Sequence, residues 1–136
     1  MKGILLILLL NFIFLNNSIN YPEFNGNQAF EYIKKQCEFG PRYPGSEGHK
    51  KLADYLYNYF ILNADSVIIF SDSILHPFSN EKVEIKNFLI HHNIKSSERY
   101  LFIAHWDTRD RADKDLDINK QSIPILGAND GASGVA

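Results

Sequence analysis

The chain has 136 residues, enough for one domain, and its composition is globular, with 45% hydrophobic and 22% charged residues. Its formal net charge of −2 is too small to favour nucleic acid or an anionic membrane surface as a partner. The single cysteine, Cys37, excludes a disulfide within the chain. Because apolar residues precede Cys37 at helical spacing, we predict that Cys37 is a small core residue and not a catalytic thiol.

The first 20 residues are similar to a secretory signal peptide. Lys2 gives a basic start, Ile4–Leu15 is a short apolar stretch, and polar residues follow it. This stretch, interrupted by Asn11, is shorter than the roughly 20 residues that span a bilayer. We therefore predict a signal peptide at 1–20 and an exported, periplasmic or extracellular domain at 21–136, with no stable membrane span. An uncleaved membrane anchor is the alternative.

Two helices are predicted next. The first runs from Asn27 to about Glu38 and ends at Phe39–Gly45, where two prolines and two glycines exclude regular structure. Ser46 is predicted to cap a second helix that continues to about Asn63. One face of this second helix carries an apolar stripe at i, i+3, i+4, i+7 and i+8, formed by Leu52, Tyr55, Leu56, Tyr59 and Phe60. Such a stripe is typical of a helix that packs on a core.

Three strands are predicted after the helices, at Ser66–Ser71, Lys82–His92 and Tyr100–Ala104. The last is an unbroken apolar run, which is typical of a strand buried on both faces. Helices followed by strands with a central buried strand predict an α/β domain with a mixed sheet. Residues 106–126 are long and charged and are predicted to form a surface loop. Gly131–Ala136 resembles the first turn of a further helix.

Three polar side chains after the predicted buried strand are candidates for a metal site. His105 comes where that strand ends, and ligands gather at the carboxyl ends of strands in open α/β sheets. Asp107 projects to the same side of an extended backbone, where its carboxylate can hold an imidazole in one tautomer. Asp130 lies in a glycine-rich turn that can approach a metal closely. Imidazole and carboxylate suit Zn²⁺, but each residue also has an ordinary structural explanation, and the spacing leaves both open.

Other motifs fail on inspection. Asp113–Asp117 begins like a calcium loop, but Ile118 and Pro124 stand where that loop needs glycine and glutamate. Ser133 lacks the glycine spacing of a nucleophile elbow and is predicted to be a helix-start residue. The sequence contains neither a phosphate-binding loop nor a dinucleotide fingerprint.

Three ordered segments identify a resemblance to a known family. Phe39–His49 contains Phe-Gly-Pro-Arg-Tyr-Pro-Gly-Ser, Ala104–Arg109 contains His-Trp-Asp-Thr-Arg, and Pro124–Ala136 contains Gly-Ala-Asn-Asp-Gly-Ala-Ser-Gly. Together they closely resemble bacterial glutaminyl-peptide cyclotransferases (glutaminyl cyclases), which belong to the zinc aminopeptidase superfamily of metallopeptidases. The match extends from about Glu31 to the end of the sequence.

The resemblance implies a three-layer α/β/α fold around a mixed sheet, with zinc at the strand ends. Asp130 matches the family's metal-binding aspartate. His105 matches a zinc ligand of the two-metal aminopeptidases, whereas in one-metal cyclases the equivalent imidazole lies near the ion without binding it. Asp107 matches the aspartate that supports this histidine. The family's glutamate pair, one a general acid/base and the other a ligand, and its late histidine ligand are expected beyond Ala136.

The leading hypothesis is that residues 21–136 are the N-terminal part of an exported zinc enzyme that converts N-terminal glutamine of peptides to pyroglutamate, with release of ammonia. A zinc aminopeptidase is the first alternative, because the resemblance gives it the same ligands. A non-catalytic chain that binds peptides or a partner protein is the second. Because the later ligands and the glutamate are missing, we expect this chain alone to be inactive. We also expect it to be poorly soluble.

Overall fold

The computed structural model describes residues 21–136, so the predicted signal peptide lies outside the described residues. Helix α1 spans Gly26–Glu38 and helix α2 spans Glu47–Asn63. Strand β1 spans Ser66–Leu75 and strand β2 spans Lys82–His91. Both helices and the first two strands therefore occur where the sequence patterns predict them.

Side-chain caps explain why the two helices begin where they do. The side chain of Asn25 accepts a hydrogen bond from the Gln28 backbone N–H at 3.0 Å, and the Ser46 hydroxyl accepts one from the His49 N–H at 3.1 Å. Each bond satisfies a helix N–H that has no partner inside the helix. The Ser46 hydroxyl also donates to the Pro41 carbonyl at 3.0 Å, which closes the turn between the helices.

The two strands form an antiparallel hairpin, with Ser66 opposite His91 and Leu75 opposite Lys82. β1 is four residues longer than the predicted Ser66–Ser71, because pairing with β2 extends it beyond its own β-branched pattern. Within residues 21–136 the sheet has only these two strands. The mixed sheet and the three layers that the sequence and the resemblance predict are not seen in this part of the chain.

The prediction of a buried strand at Tyr100–Ala104 is wrong for the described structure. This segment is assigned to no strand, and Phe102 and Ile103 are 91% and 87% exposed. No other described residue forms a hydrogen bond with its backbone. A groove of about 1360 Å³ lies between it and β2. An apolar run is buried only where neighbouring strands cover it, and residues 21–136 provide none here.

The core is formed by one face of α2 packed against Trp106. Leu52, Ala53 and Leu56 are buried on this face, which confirms the predicted stripe. Partly buried side chains surround them, namely Phe39, Tyr55, Phe60, Phe88 and Val135. Cys37 on α1 is half-buried and outside this cluster. Because Trp106 belongs to the core, the core anchors the segment that follows residues 100–104.

Residues 106–126 form the predicted loop, with one short 3₁₀ turn at Ile118–Lys120. Arg111 pairs with Asp110 at 2.9 Å, and Arg109 pairs with Asp113. These contacts are within the loop, as expected for a solvated, self-paired segment. Among residues 21–136, no helix combines the length and apolar character needed to cross a membrane.

Candidate metal centre

Alternating burial directs His105 and Asp107 to the same side of the chain. Trp106 and Thr108 are buried, whereas His105 is exposed and Asp107 is half-exposed. Successive side chains of an extended backbone point to opposite faces. Burial of Trp106 and Thr108 therefore fixes the backbone. The side chains of His105 and Asp107 then face the solvent on the same side.

Three neighbours hold the Trp106 side chain. Its indole N–H donates to the Lys86 carbonyl of β2 at 3.1 Å. Its ring stacks on His49 of α2 at 4.2 Å with 19° between the planes, and meets Phe88 edge-on at 5.8 Å. Burial lowers the pKa of His49, because its effect is larger than the opposing effect of the negative charge of Asp107. A neutral His49 ring is therefore favoured in this stack.

An irregular glycine-rich turn presents Asp130. The turn spans Ala128–Ala132, and Asp130 has φ −91° and ψ 101°, which are not helical values. Gly131 follows with φ +108°, in the region that glycine adopts readily. A Cβ at Gly131 would lie 2.9 Å from the carbonyl oxygen of Asp107. The absence of a side chain at this position lets the turn approach the Asp107 backbone closely.

The structure brings the three predicted site residues together. Nε2 of His105 lies 2.8 Å from Oδ1 of Asp130, although 25 residues separate them. On the other side of the ring, Nδ1 lies 3.2 Å from the carbonyl oxygen of Asp107 and 3.5 Å from its Oδ1. Asp107 thus contacts the imidazole mainly through its backbone, with its carboxylate slightly further away.

These contacts favour a protonated imidazole. Burial alone would lower the pKa of His105, but the hydrogen bonds to Asp130 and to the Asp107 backbone, with both carboxylate charges, outweigh it and raise the pKa. Both ring nitrogens face acceptor oxygens, so both contacts are satisfied as hydrogen bonds only when each nitrogen carries a proton. A metal at Nε2 would replace the proton shared with Asp130.

The donors present fit part of a zinc site. Imidazole nitrogen and carboxylate oxygen are both zinc ligands, and here they converge on one open cleft of about 90 Å³. The side chains of His105 and Asp130 are 56% and 78% exposed, so a cation can reach both. Within residues 21–136, no three His, Cys, Asp or Glu side chains are arranged to hold a metal ion. The pair alone is an incomplete coordination shell.

Sequence patterns did not predict individual roles for several residues near this site. Arg42 and Thr108 are buried beside the Asp130 turn, and only their membership of the quoted motifs marked them. His76, which has no ligand spacing, lies with its Nε2 3.5 Å from Oδ2 of Asp110 in a separate cluster. That cluster includes Arg111, whose guanidinium lies over the Phe78 ring.

The fold is similar to several solved bacterial enzymes. A glutaminyl cyclase from Tannerella forsythia matches with a TM-score of 0.77 and 38% identity, over 84% of this chain. A leucine aminopeptidase precursor from Bacteroides thetaiotaomicron matches with a TM-score of 0.78 and 35% identity, over 85%. A Zn-dependent exopeptidase from Parabacteroides distasonis matches with a TM-score of 0.78 and 34% identity, also over 85%. No family profile and no curated protein matches the sequence.

These similarities confirm the resemblance that the three motifs indicate. The chain is similar to bacterial glutaminyl cyclases and to a zinc-dependent exopeptidase over about 85% of its length. The chain spans only about 40% of the length of those structures. The similar structures thus include both glutaminyl cyclases and peptidases.

Proposed function

We propose that this chain is the N-terminal part of an exported zinc-dependent glutaminyl cyclase, acting on peptides or proteins that begin with glutamine. The observation that carries the proposal is the contact between His105 and Asp130 at 2.8 Å. The similarity to glutaminyl cyclases of Tannerella forsythia and Bacteroides thetaiotaomicron supports the choice of reaction. Because those structures are more than twice as long, we place the remaining ligands and the catalytic glutamate outside this chain.

Asp130 and His105 are the residues that would hold zinc. A bound His105 would be a departure from the one-metal cyclases, whose equivalent imidazole lies near the ion without binding it. Asp107 supports His105 from the opposite ring nitrogen. Bound zinc would supply Lewis-acid polarisation of the side-chain amide carbonyl of an N-terminal glutamine. The Asp130 carboxylate contributes negative charge to the cleft, and the Asp107 carbonyl fixes the orientation of the imidazole. The side chains of His105 and Asp130 are accessible from solvent, as binding of a peptide N-terminus requires.

A zinc aminopeptidase is the second candidate. The similarity to a leucine aminopeptidase precursor and to a Zn-dependent exopeptidase favours it. Its reaction hydrolyses the first peptide bond and releases a free amino acid. The same pair, His105 and Asp130, would serve both reactions, so the described residues support either. A chain that only binds peptides or a partner protein is a third candidate.

Activity of the product of the full reading frame separates these functions. We expect it to release ammonia from peptides that begin with glutamine, and Asp130→Ala to abolish that release. An Asp54→Ala variant, changed at an exposed position of α2, should keep full activity. Release of free N-terminal amino acids would favour the aminopeptidase, and neither product would favour a binding role. A reading frame without the expected glutamates and late histidine would contradict both enzymatic proposals.

A further inference from the structure

Arg42 is a buried cation without a carboxylate partner among the described residues. Its side chain is 0% exposed, and none of the ion pairs of residues 21–136 includes it. Burial lowers its pKa, as expected when a charged group leaves water. Burial of an unpaired charge is costly, so the surrounding groups must compensate for it.

Backbone carbonyls from two separate segments provide part of this compensation by accepting from both Nη atoms, whereas the buried Nε has no partner among the described residues. Nη1 of Arg42 donates to the carbonyls of Gln36 at 3.3 Å, Gly40 at 3.1 Å and Leu126 at 2.8 Å. Nη2 donates to the Gly127 carbonyl at 2.9 Å. The first two carbonyls lie in and after α1, and the last two lead into the turn that carries Asp130. A single guanidinium therefore joins the end of α1 to that turn.

The backbone of Arg42 reaches the third part of the site. Its N–H donates to the Thr108 hydroxyl at 2.8 Å, and its carbonyl accepts from the Thr108 N–H at 3.3 Å. Gly127 fits closely between them, since a Cβ there would lie 2.4 Å from Cγ2 of Thr108 and 3.3 Å from Nη2 of Arg42. The segment of His105 and Asp107 and the turn of Asp130 thus meet at Arg42.

We infer that Arg42 is the positioning residue of the candidate metal centre, a role that rests on the proposed function. His105 and Asp130 are exposed, so packing of their own side chains does little to fix their separation. Their separation depends on the two backbone segments, and Arg42 bonds to both. With the guanidinium removed, the Leu126 and Gly127 carbonyls lose a shared donor. The Asp130 turn then keeps its bond from Gln36 Nε2 to the Ala132 carbonyl at 3.0 Å but loses the tie through Arg42, which loosens its position relative to His105.

Arg42→Lys tests this inference in the intact chain, because lysine keeps the charge but loses the planar fork of donors. Two readouts are measured: hydrogen exchange of the Ala132 amide, which is bonded to the Gly127 carbonyl at 3.2 Å, and affinity for Zn²⁺. We expect amide exchange at Ala132 to become ~10-fold faster or more, whereas the exchange rates of the α2 amides stay unchanged. We also expect ~10- to 100-fold weaker zinc binding. Arg99→Lys is the matched control, since Arg99 bonds two carbonyls of its own loop.

A second pair of variants covers the case in which Arg42→Lys does not fold. Thr108→Val removes the hydroxyl that accepts from the Arg42 N–H, and Thr108→Ser keeps it. We expect faster exchange at Ala132 and weaker zinc binding in the valine variant, and recovery of both in the serine variant.

Two results would overturn the inference. One is that Arg42→Lys and Thr108→Val both behave like Arg99→Lys. The other is that Arg42→Lys speeds exchange equally at Ala132 and in α2 while Thr108→Val changes neither readout, since Arg42 would then support the fold alone. Absence of zinc binding by the product of the full reading frame would contradict the proposed function instead. The exchange readout would still decide the role of Arg42.

Discussion

At the scale of single residues, the contact between His105 and Asp130 makes a prediction about pH. Because hydrogen bonds to Asp130 and the Asp107 backbone raise the pKa of His105, its titration midpoint in the metal-free chain should lie above the ordinary value of 6.5. Asp130→Asn should lower that midpoint, as measured by NMR of the imidazole. Asp54→Asn, on the exposed face of α2, should leave it unchanged. An unchanged midpoint in Asp130→Asn would contradict the contact.

The sign of this shift determines how pH affects the chain. The contribution of the pair to stability is fully present below pH 6.5 and is lost as pH rises through the raised pKa of His105. Zinc competes with the proton on Nε2, so its binding should weaken as pH falls through the same value.

Gly131 makes a second prediction at the residue scale. In Gly131→Ala, the new Cβ would lie 2.9 Å from the Asp107 carbonyl at a φ of +108°. We expect a loss of about 1–3 kcal/mol in the free energy of unfolding by urea, together with weaker zinc binding. Gly40→Ala is the matched control, because Gly40 has φ +77° but a Cβ there would meet no atom within 4 Å. Equal losses in the two variants would show that close approach at Gly131 does not matter.

At the scale of elements, α2 provides most of the core. Leu56→Ala should lower the free energy of unfolding by about 2–5 kcal/mol, because its side chain is buried against Trp106. Leu62→Ala, on the same helix but with Leu62 83% exposed, should change it by less than about 0.5 kcal/mol. Urea unfolding followed by circular dichroism measures both. Similar values for the two variants would contradict the assignment of the buried face.

Local signals were sufficient for the helices and insufficient for the sheet. The caps at Asn25 and Ser46 and the stripe of α2 depend on residues a few positions apart, and these elements were predicted nearly to the residue. The length of β1 depends on its pairing with β2, which a pattern within β1 does not contain. The apolar run at 100–104 indicates a buried environment, but burial needs partner strands that are not among the described residues.

The site was also only partly predictable, because some of its contacts follow from local motifs and others join distant backbone segments. Motif spacing and resemblance named His105, Asp107 and Asp130, and the fold places them in contact. Their roles as ligands and support stay predictions. Arg42 received no individual role, because its partners are backbone carbonyls, and those of Leu126 and Gly127 are 84 and 85 residues away in the sequence. Such partners carry no side-chain signal that a motif can show.

At the scale of the whole molecule, the exposed apolar segment 100–104 should limit solubility. Unpaired strand edges with apolar side chains favour association between chains. Phe102→Lys, at a position that is 91% exposed, should raise the soluble fraction without changing urea unfolding. The control is Lys114→Gln in the charged loop, which should have no such effect. Unchanged solubility in Phe102→Lys, measured by centrifugation at matched concentration, would contradict this role of the segment.

The most direct test of the central claim is a zinc-binding isotherm of this chain, with His105→Ala, Asp130→Ala and His76→Ala. We predict one weak site, since only two described side chains donate to it. Binding should be lost in the first two variants and retained in His76→Ala, because His76 lies in the separate cluster with Asp110. Zinc binding that survives both His105→Ala and Asp130→Ala would contradict the claim that these two residues share a metal.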